Sequence, residues 1–246
     1  MIASRIARAW RAALALLPLV LLLPPSLRAQ STPADTQPPN TLSAAETAAG
    51  WRLLFDGKTT AGWRGWKENS MPAGWQVVDG ALTRVAAAGD IITTAKYKDF
   101  ELVVDWRISP GGNSGIFYRA GEQDSAVYWS APEMQVLDDA RHPDGKSRLT
   151  AAGSDYGLYA APAGIVKPAG EWNRARIIVK GRHVEHWLNG VRLLQYELWS
   201  PDWEMRVQGS KFATHPYYGR NTEGYIGLQD HGDRVAYRSI KIRVQP

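Results

Sequence analysis

Residues 173–197 read NRARIIVKGRHVEHWLNGVRLLQYE, and this run decides the fold class. Polar Arg174 and Arg176 alternate with Ala175 and Ile177, and Val184, His186 and Leu188 alternate with Glu185 and Trp187. Side chains on a strand point to opposite faces in turn, so a period of two marks a strand with unlike faces. Gly181-Arg182 and Asn189-Gly190 interrupt the run, and Asn-Gly suits a two-residue hairpin because both positions tolerate positive φ. The stretch predicts three strands joined by tight turns: Asn173–Lys180, His183–Leu188 and Val191–Glu197.

The same grammar extends in both directions. Strands are expected at Trp75–Val78, Ala81–Arg84, Asp90–Thr93, Phe100–Ile108, Ser114–Ala120, Glu133–Leu137, Gly224–Asp230 and Val235–Val244, each bounded by Gly, Pro, Asn, Asp or Ser. Asp79-Gly80 supplies another hairpin turn. So many short, mostly antiparallel strands predict an all-β chain of two packed sheets. One short helix is expected after Ser200, an N-cap residue followed by Pro201 and Asp202.

The chain has 246 residues and no cysteine, which excludes a disulfide frame, thiolate metal sites and a cysteine nucleophile. Its 44% hydrophobic content and 11 tryptophans exclude wholesale disorder. The formal charge of +5 at first points to a polyanion partner. However, Arg5, Arg8, Arg11 and Arg28 lie in a stretch without acids, around the apolar run from Ala12 to Leu23. Residues 1–29 therefore read as a secretory signal peptide, with an apolar run too short to span a bilayer. Removing its four arginines from the 29 Lys and Arg leaves +1 against 24 Asp and Glu. No later basic run appears, so no nucleic-acid partner is expected, nor stable membrane insertion after processing. The product is expected in the periplasm or secreted. Residues 30–49, rich in Pro, Ser, Thr and Ala, read as a flexible linker, and residues 50–246 as one folded domain.

Alternation also selects candidate site residues. Glu133 and Gln135 oppose the apolar Met134 and Val136, and Tyr225, Gln229 and His231 oppose Ile226 and Leu228. Phe117 and Arg119 share a face opposite Ile116 and Tyr118, and His186 sits in a row with apolar neighbours. Together they predict a concave sheet face carrying amides, carboxylates and aromatics, as a carbohydrate cleft requires.

Six ordered blocks carry a resemblance: LLFDGKTTAGW (53–63), WQVVDGAL (75–82), DFELVVDWRISPGGNSGIFYR (99–119), EMQVLDDARHPDG (133–145), KPAGEWNRARIIVKGRHVEHWLNG (167–190) and GYIGLQDHGDRVAYRSIKI (224–242). Together with Ser210-Lys211-Phe212, they closely resemble the 3-keto-disaccharide hydrolase domain family over residues 50–246. The resemblance implies a concanavalin A-like jelly-roll β-sandwich and an exported hydrolase or lyase acting on 3-keto-glycosides. A C3 ketone acidifies the C2 proton; its removal lets the anomeric substituent leave, and water then adds to the enone. Such chemistry needs a base, an acid for the leaving group and a stabiliser for the enolate oxygen, not the paired carboxylates of ordinary glycosidases.

On that basis His142, Glu133 and His231 are the candidate acids and bases. Lys211 and Arg119 are candidates for stabilising the enolate. Asn113, Gln135, Gln229 and His186 are candidates for binding sugar hydroxyls. Asp138 and Asp139, near His142 and Asp144, are weak candidate ligands for a divalent cation. No phosphate loop, dinucleotide fingerprint or Gly-x-Ser-x-Gly elbow appears, so a separate oxidoreductase is expected to make the 3-keto sugar. The rival reading is a non-catalytic carbohydrate-binding module on the same sandwich.

Overall fold

The computed structural model describes residues 37–245; the expected export signal and the first part of the expected linker lie outside these residues. Thirteen strands follow in chain order: β1 Trp51–Leu53, β2 Trp63–Gly65, β3 Trp75–Val78, β4 Ala81–Arg84, β5 Ile91–Thr93, β6 Phe100–Ile108, β7 Asn113–Ala120, β8 Glu133–Leu137, β9 Asn173–Lys180, β10 His183–Leu188, β11 Val191–Glu197, β12 Tyr225–Leu228 and β13 Val235–Val244. They form two antiparallel sheets. The larger runs β11-β10-β9-β6-β13-β4-β3, with β1 also paired to β13, and the smaller runs β2-β5-β12-β7-β8. The predicted meander is β9-β10-β11, with Val184 opposite Val179 and Tyr196. The two strands absent from the sequence reading, β1 and β2, have three residues each, too few to display a period.

Alternation decides what enters the core. Leu102, Val104, Trp106 and Ile108 of β6 are buried against Ile116 and Tyr118 of β7, Met134 and Val136 of β8, and Ile226 and Leu228 of β12. Each such side chain contributes roughly 1.5–3 kcal/mol of hydrophobic stabilisation when fully buried. Helix α2, Pro201–Gln208, begins as the sequence indicates: Ser200 accepts a hydrogen bond from the Trp203 N–H, and Pro201 needs no donor at that position. Trp203 and Val207 anchor it to the core.

Residues 37–49 depart from the linker reading. Ser43 and Glu46 form a reciprocal capping box that starts helix α1, Ala44–Ala48. Ahead of it, Asn40 donates to the Gly80 carbonyl and accepts from the Ser239 N–H, at 2.8 Å each. Glu46 also pairs with Lys241 of β13. These contacts tie the segment to the large sheet, which composition alone does not reveal.

β8 is the edge strand of the small sheet, and an exposed edge offers unpaired main-chain groups. Residues 153–156 cover it. The Gly153 N–H donates to the Gln135 carbonyl, Gln135 N–H to Ser154, and Tyr156 N–H to Glu133. This docking brings residues 155 and 156 beside Glu133.

Candidate active site

The smaller sheet presents a polar face away from the core, and a cavity of about 320 Å³ opens on it. Asn113 of β7, Glu133 and Gln135 of β8, and Gln229 and His231 after β12 line it, with Tyr128, Trp129, Tyr156 and Lys211 from loops. Six of the candidate residues thus converge: Asn113, Glu133, Gln135, Lys211, Gln229 and His231. His142 stands beside them, its ring centroid 6.3 Å from that of His231.

Glu133 lies at the floor, only 6% exposed. Its side chain folds over Gly115, whose missing Cβ leaves the room: a Cβ there would collide with Glu133 Oε1. Burial pushes the Glu133 carboxyl up to about 8; Lys211 counteracts the rise, whereas Asp90, Asp155 and Asp144 add to it. A carboxyl titrating there is a competent base near neutral pH.

Lys211 follows α2 in a turn held by Phe212, which stacks on Tyr218 at 3.9 Å. Its Nζ lies 4.3 Å from the Tyr156 ring centroid and 5.5 and 5.6 Å from those of Tyr128 and Trp129. Rings attract a cation without neutralising it, so the ammonium remains a positive charge facing the cavity. Trp129 is braced by His215, stacked at 3.8 Å and itself held by Asp124. The Tyr156 hydroxyl donates to Asp144 Oδ2 at 3.2 Å. Burial, then Asp144, pushes that phenol up to about 12, so it stays protonated.

The histidine loops are fixed by their backbones. Asp230 accepts hydrogen bonds from Arg84 Nε and from the Ala88, Gly89 and Gly232 N–H groups, which pins the Gln229–His231 turn. His142 caps a 3₁₀ turn, its Nδ1 accepting the Asp144 N–H at 3.1 Å. In the neutral ring the proton therefore sits on Nε2.

Several cavity atoms lack partners. Asn113 Oδ1, Gln135 Oε1 and Nε2, and Gln229 Oε1 are buried, and no described residue hydrogen-bonds them. Burying an amide atom without a partner costs about 1–3 kcal/mol. Four such atoms on one cavity wall are what a polyhydroxylated ligand would satisfy.

Four sequence candidates fall elsewhere. Arg119 does not reach the cavity. The β7–β12 register shifts at this point and Arg119 takes φ +51°, so the strict alternation that placed it beside Phe117 ends there. Its guanidinium Nε and Nη2 donate instead to the Lys98 and Gly181 carbonyls and to Asp99. His186 is fully buried between the sheets, bonded to the Tyr118 hydroxyl and the Gly153 carbonyl; burial depresses its pKa to about 4, so the ring is neutral. Asp138 and Asp139 are loop anchors. Asp138 accepts from the Gly111 and Ala140 N–H groups, and Asp139 from the Ala152 N–H and Arg148. Among the described residues no three His, Asp or Glu side chains converge as a metal-binding group.

Sequence reasoning missed Tyr128, Trp129 and Tyr156 as cavity walls. Their only signal was adjacency: aromatic residues in the loop segments SAVYWS (125–130) and SDYGLY (154–159), where no strand face would bury them.

Residues 50–243 match the family described as the 3-keto-alpha-glucoside-1,2-lyase-like domain. A 3-keto-disaccharide hydrolase from Bacteroides thetaiotaomicron is 38% identical over 237 residues, covering 83% of this chain and 82% of that protein. A solved structure of a candidate glycosyl hydrolase from Parabacteroides distasonis superposes with a TM-score of 0.79 at 34% identity, covering 85% of this chain and all of that one. A second from the same organism gives 0.66 at 27% identity, covering 79% and 99%.

Proposed function

Because the chain belongs to the 3-keto-alpha-glucoside-1,2-lyase-like domain family, we propose that it is a hydrolase that cleaves 3-keto-glycosides by elimination and rehydration. The observation that carries this reading is the pairing of a buried, unneutralised carboxyl, Glu133, with the Lys211 ammonium across a cavity walled by unpartnered amides.

In this reading Asn113, Gln135 and Gln229 hold the sugar hydroxyls, and Tyr128 and Trp129 cover an apolar ring face. Glu133 removes the C2 proton, and the electron pair delocalises onto the C3 oxygen. Lys211 stabilises that enolate oxygen, a contribution worth most in a site from which water is excluded. The enolate re-forms its ketone as the C1–O bond breaks, and the leaving oxygen takes a proton from the histidine pair. His142 offers Nε2–H for this, since its Nδ1 already accepts the Asp144 N–H. Water gives one proton back to the histidine as its oxygen adds at C1 of the enone, and Glu133 returns a proton to C2, closing the cycle as net hydrolysis.

The export-type features of residues 1–29 support action in the periplasm or outside the cell, and the C3 ketone has to be installed by a separate oxidoreductase. Incubating the purified protein with a 3-keto-glucoside and measuring free aglycone tests the proposal. Turnover lost in Glu133→Gln is expected; binding without turnover would leave the carbohydrate-binding reading instead.

A further inference from the structure

Tyr156 lines the cavity but takes no step in the reaction above, and it touches a group in each of the three roles that do. Its main chain meets the base: the Tyr156 N–H donates to the Glu133 carbonyl at 3.0 Å. Its ring meets the cation: Lys211 Nζ stands 4.3 Å from the ring centroid, against 5.2 Å for Phe212, 5.5 Å for Tyr128 and 5.6 Å for Trp129. Its hydroxyl meets the turn that carries the acid: it donates to Asp144 Oδ2, and the Asp144 N–H donates to His142 Nδ1.

Lys211 depends on the ring contact. No described residue accepts a hydrogen bond from its ammonium, so rings set its place, while Glu133 and Asp144 act on it through space. The attraction of a ring face for a cation weakens with distance, and Tyr156 is the nearest face. The hydroxyl has a separate duty. A phenol has one proton, and here it points at Asp144, so Tyr156 is not itself the acid. What the hydroxyl does is tie the Pro143–Lys146 turn, which His142 caps, to the segment docked on β8.

We infer that Tyr156 is a positioning residue with two separable duties: its hydroxyl aligns His142 for the proton that goes to the leaving oxygen, and its ring seats Lys211 against the C3 oxygen. This inference rests on the roles given above to Glu133, Lys211 and His142. The duties belong to different steps. An alkoxide leaves only as it takes a proton, whereas a nitrophenolate departs unaided, so only the first needs the histidine. The enolate has to form whatever group leaves, so both need Lys211.

The test compares 4-nitrophenyl and methyl 3-keto-glucosides with wild type, Tyr156→Phe, which drops only the hydroxyl, and Tyr156→Leu, which drops the ring as well. Tyr156→Phe should lower kcat roughly tenfold on the methyl glycoside and less than about twofold on the nitrophenyl glycoside. Tyr156→Leu should lower kcat on both, by roughly tenfold or more. A purely structural role for the hydroxyl would slow the two substrates alike, so equal losses in Tyr156→Phe, or no loss on either, would overturn its duty. Turnover of the nitrophenyl glycoside by Tyr156→Leu as fast as by Tyr156→Phe would overturn that of the ring. If Tyr156→Leu does not fold, pentafluorophenylalanine at position 156 keeps the ring's shape and reverses the charge of its face. The nitrophenyl rate should then fall below that of Tyr156→Phe, and an equal rate would overturn the ring's duty. A wild type inert toward both glycosides would instead remove the functional reading, and this inference with it.

Discussion

The outer face of the large sheet and the exposed face of the small sheet both carry buried carboxylates, and they treat them in opposite ways. On the large sheet Glu101 is 4% exposed and sits between Arg176 and Arg243, at 2.5 Å to each, while Asp105 is gripped by two nitrogens of Arg174. Cross-strand neighbours supply these cations: Arg243 of β13 lies opposite Glu101 of β6, and Arg174 of β9 opposite Asp105. On the small sheet Glu133 is buried to the same degree, yet no described residue forms an ion pair with it, and its neighbours Gln135, Gln229 and Asn113 retain unpartnered atoms. One face pairs its buried carboxylates with cross-strand arginines and is scaffold. The other leaves them unresolved, which costs stability and is tolerable only where a ligand completes the set.

Substitutions should separate the two faces by orders of magnitude. The largest effect is expected for Glu133→Gln, which removes the base and should lower kcat by about 10²–10⁴-fold. The same change should stabilise the fold. The Glu133 pKa is raised from 4.5 to about 8 on folding. Between those values the unfolded chain ionises while the native state holds its proton, so native stability falls as pH rises through that window. Thermal melts of Glu133→Gln should therefore gain most over wild type near pH 8 and gain little near pH 4; an equal gain at both would show that Glu133 is not strained by burial.

Lys211→Met comes next, with a loss in kcat of about 10²–10³-fold from the missing enolate counter-charge and the circular dichroism spectrum retained. Gly115→Ala should follow, at roughly 10²-fold, since the new methyl pushes the Glu133 carboxylate from its seat. The wild-type pH profile bears on the same group: kcat/KM should rise with pH toward about 8 as Glu133 loses its proton. Gln229→Leu should appear mainly in KM, raising it by roughly ten-fold for one lost hydroxyl contact worth about 1.4 kcal/mol. Glu101→Gln on the scaffold face is the smallest: steady-state kinetics unchanged, with about 1 kcal/mol or less of stability lost by denaturant titration, because its arginines remain partly solvated. A kinetic effect there as large as at Lys211 would abolish the distinction between the faces.

Much of this was legible in the sequence because it is written in strand periodicity. The polar row Glu133–Gln135 opposite Met134–Val136, and the row Gln229–His231 opposite Leu228, follow from a period of two and are realised. Arg119 was misread for the same reason: alternation holds only until a residue adopts positive φ, and nothing local to Arg119 announces that. His186 stood in an apolar row, and burial settled it as a core histidine. Tyr128, Trp129 and Tyr156 come from loops, where no periodicity operates and tertiary packing decides direction. Helix α1 had its Ser43–Glu46 capping box in plain view, obscured by the Pro- and Ala-rich composition around it.

The central claim is that Glu133 draws a proton from C2 of the sugar. Turnover of a 3-keto-glucoside in deuterium oxide, stopped early and read by mass spectrometry and proton NMR, tests it most directly. The account predicts one deuterium at C2 of the released sugar, formed together with free aglycone, and neither product with Glu133→Gln. Released sugar that retains its C2 proton, together with no primary isotope effect on turnover of the C2-deuterated substrate, would contradict it.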